Sequence, residues 1–248
     1  LDVTGKFYND VTENLIINDG AQVIQNNDNV AATFNMNMSA PKPYEWETDN
    51  MNGWQFIASP VSNAKVADFE YELFEYDLYK YEGNVNDGTA KWINYKNHES
   101  DFETSFVEGR GYLASYEFEK TVSFAGILNH EDSFAKDLSY NTTNSNGKPL
   151  ANFHLLGNPF SFDMDWENVN VNGVYDGFAT VDPSTGGYVI SIDKGIVPVG
   201  DGFFVEAIGE EPSISYPAQS KSRGEEKADV TPIAGNFWET LNEYTIYL

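Results

Sequence analysis

The chain has 248 residues, 41% of them apolar and 15% aromatic, which is enough for one large or two ordinary domains with packed cores. Against 14 Lys and Arg stand 39 Asp and Glu, a formal charge of −25 whose field repels nucleic acids and anionic lipid surfaces. The absence of cysteine excludes disulfides, thiolate nucleophiles and Cys-bound metals. No apolar run reaches the length of a membrane span, so we expect neither a nucleic-acid partner nor membrane insertion.

Residues 1–44 predict a strand-rich lead that packs on the first of two repeats. Two short apolar runs flank Asp19 and Gly20, a pattern typical of a hairpin or a solenoid corner. Between residues 30 and 38 apolar and polar side chains alternate, which predicts a strand with one buried face. Strands this short are only marginally stable alone, so we expect them to pack on the next segment.

One stretch of the chain occurs twice and sets the rest of the interpretation. Residues 53–61 and 152–160 are both apolar runs interrupted by a proline, Pro60 or Pro159, and a Tyr-Asp pair follows each proline sixteen residues later. The opening run at residues 54–58 is apolar almost throughout, which suits a strand covered on both faces. Residues 69–81 predict one long strand or a bent pair, with a break near Leu73 where the alternation changes phase.

Two further landmarks recur in the same order. The triplet Gly109-Arg110-Gly111 matches residues 200–202, where the central residue is Asp201, and residues 122–124 match residues 214–216. Four matches in one order indicate duplication of a structural unit. Paired glycines predict a strained turn into a strand, with a ligand-binding nest as the alternative, although the exchange of Arg for Asp argues against a shared ligand.

The predicted fold is therefore all-β, built of duplicated antiparallel sandwich or barrel-like units behind the short lead. Its segments follow the repeat landmarks, with the connector holding a strand candidate at residues 136–140 and the end of the chain holding a charged loop and a last strand. The predicted boundaries are 1–44 for the lead, 45–126 for the first repeat, 127–152 for the connector, 153–218 for the second repeat and 219–248 for the final segment.

The ordered motifs resemble a β-rich module of large secreted or cell-surface, adhesin-like proteins of Bacteroidetes, often found near a C-terminal sorting region. The residues that carry the resemblance span about 45–218 and include the run at 53–61, the segments 76–81 and 92–96, and the triplet at 109–111. The resemblance implies an exported extracellular or surface protein and supplies no catalytic residues. Because the chain begins with Leu1, we expect a mature or trimmed product, and its strand-like end indicates either a native chain that continues past residue 248 or the last edge of the sheet.

Few residues qualify for a site. The histidines His98, His130 and His154 are not at metal-ligand spacing, and no nucleophile-elbow motif is present, so we predict no catalytic residues and no enzyme. Aromatic faces can stack on sugar rings, and the candidates for that role, with core packing as the alternative, are Trp54, Trp92, Tyr95 and Trp166.

No cofactor is predicted apart from a possible Ca²⁺, because hard cations bind clustered carboxylate oxygens. The candidate ligands are Asp163, Asp165 and Asp182, with a solvated loop as the alternative. The leading functional hypothesis is a noncatalytic adhesion or surface-interaction module whose partner is an extracellular protein or glycan. A carbohydrate-binding module and a glycan-acting hydrolase, which would need two converging carboxylates, are the alternatives.

Overall fold

The computed structural model describes residues 1–3, 5–38, 53–71, 75–83, 91–129, 134–140 and 152–216. The predicted all-β class is confirmed, since no described helix reaches seven residues. In these ranges no helix is long and apolar enough to cross a membrane. The predicted last strand within residues 219–248 lies outside the described residues. The described helices are single 3₁₀ turns at Thr12–Asn14, Val66–Phe69, Tyr95–Asn97, Glu99–Asp101 and Trp166–Asn168.

The lead contains four strands, β1 (Asp2–Val3), β2 (Ile16–Ile17), β3 (Ile24–Gln25) and β4 (Ala31–Met38). The hairpin alternative around Asp19 and Gly20 is wrong, because β2 pairs in parallel with β4 and β3 pairs in parallel with β1. Gly20 has a positive φ of 75°, so the chain turns there without bringing the flanking strands together. In β4 the predicted face is buried, with Phe34 fully covered and Asn37 exposed.

The first repeat forms an inner and an outer sheet. Its strands are β5 (Gln55–Ile57), β6 (Val61–Ser62), β7 (Tyr76–Glu82), β8 (Lys91–Asn94), β9 (Tyr112–Tyr116) and β10 (Lys120–Leu128). The inner sheet has the order β5-β9-β7-β8, and the outer sheet has the order β2-β4-β10-β6. The lead packs on this repeat because β4 pairs antiparallel with β10 from Met38 opposite Lys120 to Ala31 opposite Ile127.

The second repeat has the same plan. After β11 (Phe134–Asp137) come β12 (Phe153–Gly157), β13 (Met164–Asp165), β14 (Asn170–Asn172), β15 (Gly177–Val181), β16 (Tyr188–Ile192), β17 (Ile196–Val197), β18 (Gly202–Glu206) and β19 (Ser213–Tyr216). Its inner sheet has the order β12-β18-β15-β16, which matches that of the first repeat strand for strand. Its outer sheet has the order β11-β19-β14, and β13 pairs separately with β17. The chain is therefore a duplication in three dimensions.

Both prolines directly follow a polar residue that shapes the chain after the opening strand. The Ser59 hydroxyl accepts a hydrogen bond from the Val61 amide at 3.3 Å, and the Asn158 side-chain oxygen accepts one from the Phe160 amide at 3.0 Å. A side-chain oxygen that accepts from the amide two residues later mimics a backbone turn. The two copies therefore turn at the same place by the same local interaction.

The predicted long strand at residues 69–81 is shorter than expected. Phe69 ends a 3₁₀ helix and β7 begins only at Tyr76, while residues 72–74 lie outside the described ranges. The Tyr-Asp landmark is also not equivalent in register. Tyr79 pairs with Leu113 and Ala179 with Phe204, so the second copy reaches the equivalent pair one residue later relative to its proline.

Three apolar cores separate the inner and outer sheets of the two repeats. One lies between the two sheets of the first repeat, and another lies between the sheets of the second repeat. The central core joins the inner sheets face to face, so the opening strands are covered on both faces. The buried residues of this central core are Trp54, Phe56, Tyr81, Leu113, Phe153, Leu155, Ala179, Val181 and Phe204.

Candidate functional site

Two of the four aromatic candidates belong to the central core. Trp54 is 9% exposed and meets Tyr79 edge-on, with 5.8 Å between ring centroids. Trp92 is half-buried and stacks on Phe56 at 6.4 Å. Protein therefore covers the ring faces that would be needed for sugar stacking.

The other two candidates are also inside the protein. Tyr95 is 6% exposed and its hydroxyl donates to Glu70 Oε1 at 2.8 Å. Trp166 is 1% exposed and its indole N–H donates to Asp176 Oδ1 at 3.0 Å. These four residues therefore pack in the cores, which was the alternative interpretation, and do not form an exposed row.

The carboxylates of the two neighbouring Ca²⁺ candidates accept protein hydrogen bonds. Asp163 Oδ2 accepts from the Gln22 side-chain Nε2 at 2.6 Å, and Asp163 Oδ1 accepts from the Val199 backbone amide at 3.0 Å. Burial raises the pKa of Asp163, and these two hydrogen bonds oppose that rise. Asp165 Oδ1 accepts from the Glu167 amide at 3.1 Å and so caps a 3₁₀ helix.

Asp182 lies on a separate turn. It accepts from both the amide and the hydroxyl of Ser184, at 2.8 and 2.7 Å, and from the Thr185 hydroxyl at 3.1 Å. The Ser184 bonds lower the pKa of Asp182 because they favour its ionised form. In the described part of the chain no group of three His, Asp or Glu side chains could hold a metal, so the Ca²⁺ prediction gains no support.

The two described histidines make different contacts. His98 Nδ1 lies 3.3 Å from Asp101 Oδ2 on an exposed turn, and His130 lies outside the described residues. His154 Nε2 donates to the Ser139 carbonyl oxygen at 2.9 Å, which fixes Nδ1 as an acceptor in the neutral ring. Burial lowers the pKa of His154, so the neutral ring predominates at pH 7.

The central residues of the two glycine triplets lie at the junction between repeats. Arg110 forms an isolated antiparallel bridge to Leu156, and Asp201 forms one to Ile57. In the repeat alignment Arg110 corresponds to Asp201 and Leu156 to Ile57. Each triplet therefore bridges to the opening strand of the other repeat, and the two bridges form a two-fold pair.

Backbone hydrogen bonds follow the same symmetry. The Ala58 amide donates to the Gly200 carbonyl at 2.7 Å, and the Gly157 amide donates to the Gly109 carbonyl at 3.1 Å. These four positions are equivalent in pairs, so the first glycine of each triplet accepts from the opposite repeat. The junction is therefore made by main chain as well as by the central core.

Glycine is needed twice in each triplet for different reasons. Gly109 and Gly200 have positive φ values of 68° and 86°, which side chains rarely adopt. A Cβ on Gly111 would lie in hard contact with the Leu156 carbonyl oxygen, and one on Gly202 would lie 3.3 Å from Gly111 Cα. The predicted turn into a strand is present, and the close approach of the two repeats is a second reason why glycine is required in the triplets.

The Asp201 end of the junction is covered by the lead. A Cβ on Gly200 would lie 3.0 Å from Phe34 Cε1 and 3.5 Å from Met36 Sδ, which places β4 directly over the triplet. Burial, together with the smaller effects of the charges of Asp163 and Asp19, raises the pKa of Asp201 to about 8. A carboxyl group that keeps its proton at neutral pH suits this acidic surrounding.

At the Arg110 end the described residues leave a cleft of about 280 Å³ between the triplet, the opening strand β12 and the end of β11. We call it the junction cleft. Its lining residues with functional side chains are Tyr81, Arg110, Lys136, Asp137, Ser139 and His154, and the buried residues Leu155 and Leu156 form part of its wall.

Positive groups converge in the junction cleft. Arg110 Nη1 lies 3.0 Å from Glu103 Oε1, an ion pair whose Glu side chain is 45% exposed. Burial lowers the pKa of Lys136, and the Arg110 charge lowers it further while Glu108 and Glu103 oppose it. No described residue lies within ion-pair distance of Lys136. A half-buried ammonium group beside a guanidinium group is a favourable place for an anion.

The sequence predictions included His154 in the opening strand, Arg110 in a glycine triplet and Lys136 in a strand candidate, but they did not bring the three residues together. They treated the Arg-for-Asp exchange between the triplets as an argument against a ligand. The exchange was the available signal, because it marks a position where the two junction ends differ in charge.

No protein-family model, no curated protein and no solved structure matches this chain.

Proposed function

We propose that the protein is a noncatalytic interaction module of an exported surface protein, and that it binds an extracellular partner at the junction cleft. The observation that carries the proposal is the unequal pair of junction ends. The lead packs over the Asp201 end, whereas the described residues at the equivalent Arg110 end leave a cleft with an ammonium group that has no described ion-pair partner.

The architecture supports a rigid, preformed binding site. Each opening strand packs into two cores, so the backbone around the cleft is fixed on both sides. A preformed site avoids the entropy cost of ordering a loop when the partner binds. The export proposal rests on the resemblance to adhesin-like modules and on the acidic composition.

A carbohydrate partner is the second candidate. The specific observation in its favour is that two cations and a neutral His154 acceptor line one cleft of about 280 Å³. Sugar acids present an anion, hydroxyl groups and C–H faces within one ring. This is a different sugar site from the row of exposed tryptophans that the sequence suggested.

The experiment tests whether the chain binds a ligand without chemically changing it. The purified chain is applied to an array of neutral and acidic glycans and extracellular proteins, and bound ligands are recovered for mass spectrometry. We expect retention of a subset with unchanged ligand mass. Cleavage of a bound ligand would contradict the noncatalytic proposal, and retention of none would contradict the binding proposal. Antibody labelling of intact producing cells tests surface exposure independently.

A further inference from the structure

We propose that the junction cleft binds a single carboxylate-bearing sugar residue, such as a uronic acid, with Lys136 donating to the carboxylate and Arg110 adding its charge. This inference rests on the proposed binding function and adds the chemical class of the ligand.

Two cationic side chains, Arg110 and Lys136, line this cleft together with Asp137, although the chain has 14 cationic side chains against 39 acidic ones. At Lys136, burial and the Arg110 charge outweigh the opposing charges of Glu108 and Glu103, so its ammonium group gains from a further anion. The Arg110 guanidinium group donates to Glu103 Oε1 and also hydrogen-bonds the Tyr112 side chain, so Lys136 is the main donor to a ligand carboxylate and Arg110 adds its charge.

The overall charge limits the ligand to few negative charges. A formal charge of −25 repels any polyanion as it approaches, and screening in physiological salt removes this repulsion only beyond about 8 Å. A ligand with one carboxylate on an otherwise neutral body meets less repulsion and still gains the contact with Lys136 and the charge of Arg110. This argues against acidic polysaccharides, nucleic acids and acidic protein surfaces.

The size of the cleft fits one sugar ring. Its volume of about 280 Å³ lies just below the usual range for small-ligand sites, which starts at about 300 Å³. The cleft is too small to enclose several linked residues, so a longer glycan would place only its terminal residue there.

Hydrogen-bond chemistry favours a sugar acid over a peptide carboxylate. His154 lines the cleft and its Nδ1 is an acceptor, because Nε2 donates to the Ser139 carbonyl. Asp137 is a further lining residue of acceptor type. A uronic acid brings hydroxyl donors for these acceptors beside its carboxylate, whereas an Asp or Glu side chain brings acceptors alone.

The experiment measures binding of D-glucuronate, D-glucose and N-acetylglutamate to the full chain by calorimetry or by NMR titration. The test variant is Lys136→Gln, which removes the ammonium group that has no described ion-pair partner. The matched control is Lys194→Gln, the same change at an exposed lysine of a turn in the second repeat. Thermal melts of both variants verify that each is folded.

We expect D-glucuronate to bind wild type and Lys194→Gln within twofold of each other, and Lys136→Gln to bind about 10-fold to 100-fold more weakly, as for a lost charge-assisted hydrogen bond. Equal binding of D-glucose would overturn the role of the carboxylate, and tighter binding of N-acetylglutamate would overturn the sugar class. Array binding that Lys136→Gln leaves unchanged would overturn this inference while the proposed binding function stands.

Discussion

Replacing Gly111 with alanine tests the main-chain contact between the repeats. A Cβ at this position would lie 2.8 Å from Leu155 Cγ and in hard contact with the Leu156 carbonyl oxygen. Carbonyl oxygens in a paired strand cannot move aside as a flexible side chain can, so the two repeats must separate locally. The Gly111 amide also donates to the Leu155 carbonyl at 3.1 Å, a bond that such a separation weakens.

The expected loss of stability follows from these terms. Overpacking costs about 1–3 kcal/mol and a weakened hydrogen bond about 1 kcal/mol. The smaller conformational freedom of alanine in the unfolded chain returns about 0.4–1 kcal/mol. Gly111→Ala should therefore lower the free energy of unfolding by about 2–3 kcal/mol, which corresponds to a Tm lower by about 4–12 °C for a chain of this size.

The assay is thermal unfolding by circular dichroism, and the matched control is Gly187→Ala. A Cβ on Gly187 would meet only the Thr185 hydroxyl, at 3.4 Å, so we expect its Tm to equal that of wild type or exceed it slightly. If Gly111→Ala melts within about 2 °C of Gly187→Ala, the close approach of the repeats at the triplet is refuted.

Two further predictions concern buried polar groups. Because burial holds the Asp201 carboxyl protonated in the folded state up to a pKa of about 8, while the unfolded chain ionises near 3.8, unfolding releases a proton in this window and stability falls as pH rises. Asp201→Asn should match the stability of wild type below pH 4 and exceed it by about 1–3 kcal/mol at pH 9, a smaller difference than the full pKa shift implies because Asp201 is partly exposed. Urea unfolding at both pH values measures the difference, with Asp193→Asn as the exposed control. A difference that does not change with pH would contradict the prediction. Asn158→Ala should lower the free energy of unfolding in urea by about 2–4 kcal/mol, because Asn158 is fully buried and its side chain hydrogen-bonds the Phe160 amide and the Phe162 and Val197 carbonyls. A loss under about 1 kcal/mol would show that these backbone groups find other partners.

The duplication could be predicted because its causes are local. Proline, a preceding small polar residue and a run of apolar residues specify a covered strand that ends in a turn wherever they occur. Ser59 and Asn158 differ chemically, yet each supplies an oxygen to the amide two residues later. Sequence matching therefore detected the same backbone path in both copies.

The errors arose where distant pairing decides the structure. The runs around Asp19 and Gly20 have the pattern of a hairpin, but β2 and β3 each have another strand as partner, in parallel. The one-residue shift after Tyr175 was hidden because a Tyr-Asp pair at equal spacing matched by residue type and not by register. Tertiary pairing overrides local pattern in both cases.

The candidate site was the hardest part to predict. Aromatic residues were chosen for their chemistry, but Trp166 and Tyr95 serve the cores, since large rings bury more apolar area than any other side chain. The junction cleft needs Arg110, Lys136 and His154, which come from three separate segments. Only the duplication, read together with the Arg-for-Asp exchange, connects them, and no spacing rule in one copy could do so.

The contact between the two inner sheets means that neither repeat is complete without the other. One half standing alone would expose the aromatic face of its inner sheet to water, and the reciprocal bridges of Arg110 and Asp201 have the isologous geometry of a C2 dimer. Joining both halves in one chain removes the dependence of such an assembly on protein concentration. It also allows the two copies of a self-matched surface to differ, as the glycine triplets do at Arg110 and Asp201.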